Sequence, residues 1–180
     1  MGEGKEMESY NEITDVESLE AIVSQSDFKT AEDVESFFIA YTKLIWEHRM
    51  IGRIYDHYSD DIVIHGENGK DLSGIEPVIA HTSERLFSMP DIKINFVGIW
   101  AKQLNDSEYT FIQITQPQGT FTGPSLYGPP THKKVESGKI INMCECLVKK
   151  INGTWKIVEE WGLLGYADFF SEGKKNEILV

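Results

Sequence analysis

Apolar residues recur along this chain first at helical and then at strand intervals. Val16, Leu19, Ile22 and Val23 form a short helical stripe, with Thr14 and Glu17 at capping-box spacing ahead of it. A longer stripe of Val34, Phe37, Phe38, Tyr41, Leu44, Ile45, His48, Ile51 and Tyr55 predicts a helix with Thr30 as N-cap and a break near Gly52. His48 on that stripe reads as a packed core histidine. The period then changes, and Ile62, Val63, Ile64 and His65 predict a short strand ended by Gly66. Ser73 and Glu76 again stand at capping-box spacing with Pro77 in the first turn. Behind them Ile75, Val78, Ile79, Thr82, Leu86 and Met89 make a second helical face, closed by Pro90.

Beyond that proline nearly everything reads as strand. Segments 92–103 and 108–116 flank the turn signal Asn105-Asp106-Ser107, and segments 139–150 and 154–164 flank Asn152-Gly153, so two hairpins are expected. A glycine- and proline-rich loop covers 117–131. Helix, strand, helix and four long antiparallel strands predict one α+β domain. Its sheet curls around the preceding helices at the bend points Gly98, Gly119 and Gly123 and encloses a pocket for a small organic molecule. The expected boundaries are a polar N-terminal extension with a short helix over 1–31, the domain over 32–171 and a charged tail over 172–180.

Composition narrows the partners. With 180 residues, 41% of them hydrophobic, the chain can build one sizeable core without metals or disulfides. Its 17 Lys+Arg against 29 Asp+Glu give a formal charge of -12, which disfavours nucleic acid and anionic membranes. No run approaches the roughly 18 apolar residues of a membrane span, and the first residues lack the basic-then-apolar signature of a signal peptide, so a cytoplasmic location is expected. Cys144 and Cys146 share one strand face at a separation that would strain a disulfide. A metal site would need ligands beyond this pair, and the five histidines show no HxxxH or HxH spacing; two free, mostly buried thiols and no metal are expected.

Five ordered segments carry a resemblance. They are Tyr58-Ser59-Asp60-Asp61-Ile62-Val63-Ile64-His65-Gly66, Gly74-Ile75-Glu76-Pro77-Val78, Met89-Pro90-Asp91, Gly119-Thr120-Phe121-Thr122-Gly123 with Gly128-Pro129-Pro130-Thr131, and Ile157-Val158-Glu159-Glu160-Trp161. In order and approximate spacing this set resembles the SnoaL-like polyketide cyclase group, within the fold of nuclear transport factor 2, over residues 45–171. The resemblance implies a cone-shaped α+β barrel, often dimeric, with a ligand in its open end. It further implies a carboxylate that takes a proton from the carbon next to a carbonyl, with no metal or cofactor. Two positions depart from the group's pattern: the acid expected four residues after the tryptophan is Gly165, and the histidine of its Gly-Thr-His-x-Gly loop is Phe121.

Other residues must then carry any catalysis. Asp168 lies three positions past Gly165 and, on a helix, would point within about 60° of the lost acid, or else cap a surface turn. Glu159 shares a strand face with Trp161, which the resemblance makes a pocket wall, so Glu159 is the better inward acid and Glu160 takes the other face. Glu145 faces opposite to the thiols and enters the cone if they face out. His65 ends the first strand near the implied pocket, and His132 follows the proline-rich loop within reach of its mouth. Trp100, Phe121 and Tyr127 suit a flat, apolar ligand, although strand aromatics also serve as plain core. The expectation is a homodimeric domain that binds a small hydrophobic molecule, with cyclase, isomerase or lyase chemistry on a polyketide-like carbonyl compound. The alternative is a module for binding small molecules or proteins that has lost the catalytic groups at Gly165 and Phe121.

Overall fold

A computed structural model describes residues 7–66, 69, 71–125 and 128–165. Helices α1 (Met7–Glu12), α2 (Val16–Val23) and α3 (Ala31–Trp46) precede a 3₁₀ turn at Ile51–Arg53 and the short α4 (Ile54–His57). Strands β1 (Tyr58–His65) and β2 (Asp71–Ser73) lead to α5 (Ile75–Ser88). Then come β3 (Lys93–Asn105), β4 (Glu108–Thr120), β5 (Lys134–Val135), β6 (Asn142–Ile151) and β7 (Thr154–Leu164). The α+β class and the mainly antiparallel sheet agree with the sequence.

The sheet runs β2-β1-β7-β6-β4-β3, with β5 attached to β4, and among the described residues only the β1–β7 pairing is parallel. It curves without closing: β2 and β3 remain its edges among the described residues. No helix among them is long and apolar enough to cross a membrane.

Local chemistry sets the element ends. Thr30 caps α3 in a reciprocal box with Asp33, as the sequence indicates. At α2 the cap is Asp15 rather than Thr14, its carboxylate accepting from the Ser18 N–H at 2.8 Å. At α5 the cap is Gly74 at φ 91°, because Ser73 is committed to β2. The long helical stripe divides after Trp46, where Arg49 takes φ 57°, earlier than the expected break at Gly52. Asn152 and Gly153 both have positive φ (50° and 86°), as a two-residue turn with the twist of its strands requires.

The core lies between α3 and the sheet. Phe38 stacks on Phe111 with ring centroids 4.3 Å apart, and Phe28 stacks on Trp155 at 5.3 Å, each such pair contributing about 0.5–1.5 kcal/mol beyond area burial. The N-terminal segment takes part: Leu19, Val23 and Phe28 are buried in this cluster. Buried Lys43 donates to the carbonyls of Tyr10, Asn11 and Ile13 at 2.8, 3.0 and 2.8 Å and pins the entering chain. Edge strand β3 is blunted by side chains: Glu47, Asn11 and Glu35 accept its N–H groups at Ile94, Phe96 and Ala101.

Candidate functional site

The cavity between α3, α5 and the sheet has a volume of about 760 Å³, within the range of small-molecule sites. Its apolar wall includes Phe38, Tyr41, Ile45, Phe111, Ile157 and Leu164, and its polar groups include His81, Arg85, Gln113, Asn142, Cys144 and Glu160.

A bulge in β7 decides which acid enters. Ile157 pairs with Val148 and Glu159 with Leu147, so Val158 is the extra residue and the alternation shifts by one beyond it. Ile157, Glu160, Gly162 and Leu164 line the cavity. This inverts the face expected from strict period two, which placed Glu159 and Trp161 inside. Trp161 is 41% exposed and stacks on the His65 ring with centroids 4.9 Å apart. Glu159 accepts from His65 Nε2 at 2.9 Å.

Glu160 faces a group of protonated neighbours. Tyr58 Oη donates to its Oε2 at 3.3 Å, and the Cys144 sulfur lies within 4.8 Å of its carboxylate. Burial pushes the Glu160 carboxyl above the usual range, while Cys144, Tyr58 and Arg85 act in the opposite direction. Cys146 lies directly across from Glu160 in the ladder, and the two sulfurs stand 3.4 Å apart. On α5, burial and then Arg85 lower His81 to about 4, so its imidazole is neutral at pH 7. Gln113 Oε1 is buried with no hydrogen-bond partner among the described residues, a polar group left on the cavity wall.

The other expected site residues scatter. His65 lines the rim between Glu159 and Asp71, both at 2.9 Å, and those two bonds, Glu159's first, raise its pKa. Glu145 does not enter the cone: the thiols line the cavity, and Glu145 is exposed on the outer face. Trp100 is 58% exposed and lies over Gly98, away from the cavity wall. Phe121 is buried in the core, off the cavity lining. His132 is exposed at φ 53°. Tyr127 and Asp168 lie outside the described residues. Gly165 closes the position of the group's acid, since a Cβ there would meet the Ile141 carbonyl oxygen at 2.8 Å. Sequence reasoning missed Glu160, His81, Arg85 and Gln113. For His81 and Arg85 a signal existed: they follow Val78 by three and seven residues, on the apolar stripe of α5.

No protein-family model matches this chain, and no curated protein matches it in sequence. Solved structures match its fold. A protein from Jannaschia sp. CCS1 assigned as a SnoaL-like polyketide cyclase superimposes with a TM-score of 0.56 at 11% identity, over 80% of this chain and 96% of that one. The hexachlorocyclohexane dehydrochlorinase LinA-type3 from Novosphingobium barchaimii LL02 gives 0.56 at 13%, over 71% and 81%. A protein from Shewanella frigidimarina NCIMB 400 assigned as a ketosteroid isomerase gives 0.54 at 13%, over 72% and 94%. The chain therefore has the fold these proteins share, which is also the fold of the group it resembles in sequence.

Proposed function

We propose that this chain binds a small hydrophobic carbonyl compound in the cavity and moves a proton at the carbon beside the carbonyl, with Glu160 as acid/base. The observation that carries this reading is the Glu160 carboxylate set among apolar walls, with Tyr58 at 3.3 Å. A carboxylate withdrawn from water is a stronger base than an exposed one, and the apolar wall excludes competing solvent. As the proton leaves, charge develops on the carbonyl oxygen. Arg85 and neutral His81, both on the cavity wall, supply a positive charge and a hydrogen-bonding ring to meet it. Polyketide cyclisation, dehydrochlorination and ketosteroid isomerisation, the activities named for the fold's neighbours, have removal of a proton from carbon in common. The reading extends to a cytoplasmic homodimer paired through the outer sheet face.

Deuterium exchange tests it. A panel of aryl ketones and β-dicarbonyl compounds in D₂O, followed by NMR, should exchange α-protons faster with the protein than in buffer. Glu160→Gln should lower the enzymatic rate at least ~100-fold, the low end of what a general base contributes. Buffer-level exchange by the wild type, or full activity in the variant, overturns the assignment. Gly165 and Phe121, which remove the group's acid and histidine, favour a second reading of binding without turnover. Its signature is a probe that raises the melting temperature yet keeps its protons.

A further inference from the structure

The bulge at Val158 brings Glu160 directly across from Cys146, and the strand repeat puts Cys144 on the same inward face. Opposite Cys144 stands Gly162, whose missing side chain leaves the space between the strands open: among the described residues a Cβ there would meet only Glu160 Oε1, at 4.0 Å. One ligand atom from each of Cys144, Cys146 and Glu160 falls within 4.8 Å of the other two, with the sulfurs 3.4 Å apart. We propose that Cys144, Cys146 and Glu160 form a site for one thiophilic divalent metal ion, zinc being the best match, with a fourth coordination position open to the cavity.

The dimensions fit with small adjustments. Zinc bonds of about 2.3 Å to sulfur and about 2.1 Å to oxygen, set tetrahedrally, place two sulfurs ~3.8 Å apart and a sulfur and an oxygen ~3.6 Å apart. The sulfurs must open by a few tenths of an ångström, and the carboxylate must approach by up to about an ångström, a side-chain movement. A disulfide fits less well. Two residues along a strand separate the Cα atoms by about 6.6 Å, at the upper limit of disulfide geometry, and both cysteines are free. The donor set sorts the metals: two thiolates favour zinc and its softer neighbours, whereas magnesium and calcium need oxygen ligands. Three protein ligands and one open position match catalytic zinc sites rather than the closed four-ligand structural kind. Two thiolates and a carboxylate around a divalent ion leave one excess negative charge, and Arg85, which also lines the cavity and acts electrostatically on Glu160, offsets it.

This site stands on geometry alone and does not depend on the proton-transfer reading. The two are linked by one consequence: a Glu160 bound to metal is no longer a free base, so zinc should suppress any α-proton exchange.

The test is a cobalt titration of the full reduced chain, followed by zinc competition against a chromophoric chelator. One equivalent of cobalt should raise a thiolate-to-cobalt charge-transfer band that zinc displaces and magnesium leaves unchanged. Cys144→Ser, at a half-buried position, and the isosteric Glu160→Gln should each weaken binding by more than ~100-fold while the thermal transition stays cooperative. Absence of the charge-transfer band overturns the site, and so does wild-type affinity in either folded variant. Both readouts are independent of turnover, so a chain that binds cobalt but exchanges no protons upholds the site and sinks only the acid/base reading.

Discussion

Gly162 tests the shape of the cavity and the phase of β7 in one substitution. It lines the cavity, its φ is not in the left-handed region, and among the described residues the one atom near the place a Cβ would take is Glu160 Oε1 at 4.0 Å, an ordinary contact distance. Gly162→Ile should therefore fold without strain. Replacing a strand glycine recovers about 0.5–1 kcal/mol of backbone entropy. Half-burying the isoleucine in the cavity adds about 1 kcal/mol of the ~1.5–3 kcal/mol available for full burial. The sum, roughly 1.5–2 kcal/mol, corresponds to a rise of about 3–8 °C in melting temperature for a chain of this size. The same side chain takes space from a ligand. Loss of about four methylene-sized contacts at ~0.8 kcal/mol each weakens an aryl ketone roughly 200-fold. Calorimetric melting and titration of the probe by fluorescence or NMR read both effects. A lower melting temperature, or unchanged ketone affinity, would show that Gly162 does not face the cavity and would refute the one-residue shift at Val158.

Three other substitutions probe the rim, the outer face and the N-terminal pin. His65 has a raised folded pKa, so its contribution to stability is complete below its unfolded value of 6.5 and is lost as pH rises through the higher folded value. The melting-temperature gap between wild type and His65→Gln should shrink with increasing pH; a constant gap would remove Glu159 and Asp71 as the cause. On the outer face Met143 pairs with Leu163 and Trp100 with Ile112, and these four residues are 38–58% exposed alongside Trp161. We expect this apolar face to join two copies, and Ile112→Glu to yield monomers by light scattering; a monomeric wild type at micromolar concentration contradicts it. Lys43→Met keeps the stem but loses three hydrogen bonds of about 1.5–3 kcal/mol each, against several kcal/mol of ammonium desolvation recovered. A net loss near ~3 kcal/mol should lower melting by about 6–12 °C and raise amide exchange at Phe96, next to the pinned segment; unchanged melting would mean the carbonyls find other donors.

The sequence was most informative where a local rule is strong and least informative where one residue resets a period. Asn152-Gly153 and the Thr30–Asp33 box located β6, β7 and the start of α3, because positive-φ turn residues and reciprocal caps act within four positions. The resemblance, assembled from five weak segments, anticipated the fold the solved neighbours share. Glu145, Trp100 and Phe121 stand off the cavity wall for reasons of their own, but the acids of β7 were misread at one place. Counted back from the Asn152-Gly153 turn, a regular ladder would set Cys146 against Glu159; the bulge at Val158 sets it against Glu160 instead. Nothing in Ile157-Val158-Glu159-Glu160 marks that insertion, since no glycine is required there and both glutamates suit either face. Every later residue of β7 changes side as a result. Trp161 leaves the cavity for the His65 ring, Glu159 becomes the partner of that histidine at the rim, and Glu160 joins the two thiols. The group's usual acid position meanwhile closes on the Ile141 carbonyl at Gly165. The cavity thus keeps a carboxylate although the expected one is gone. It stands next to sulfur rather than at the end of the strand, and in that placement the cavity departs from the pattern its sequence resembles.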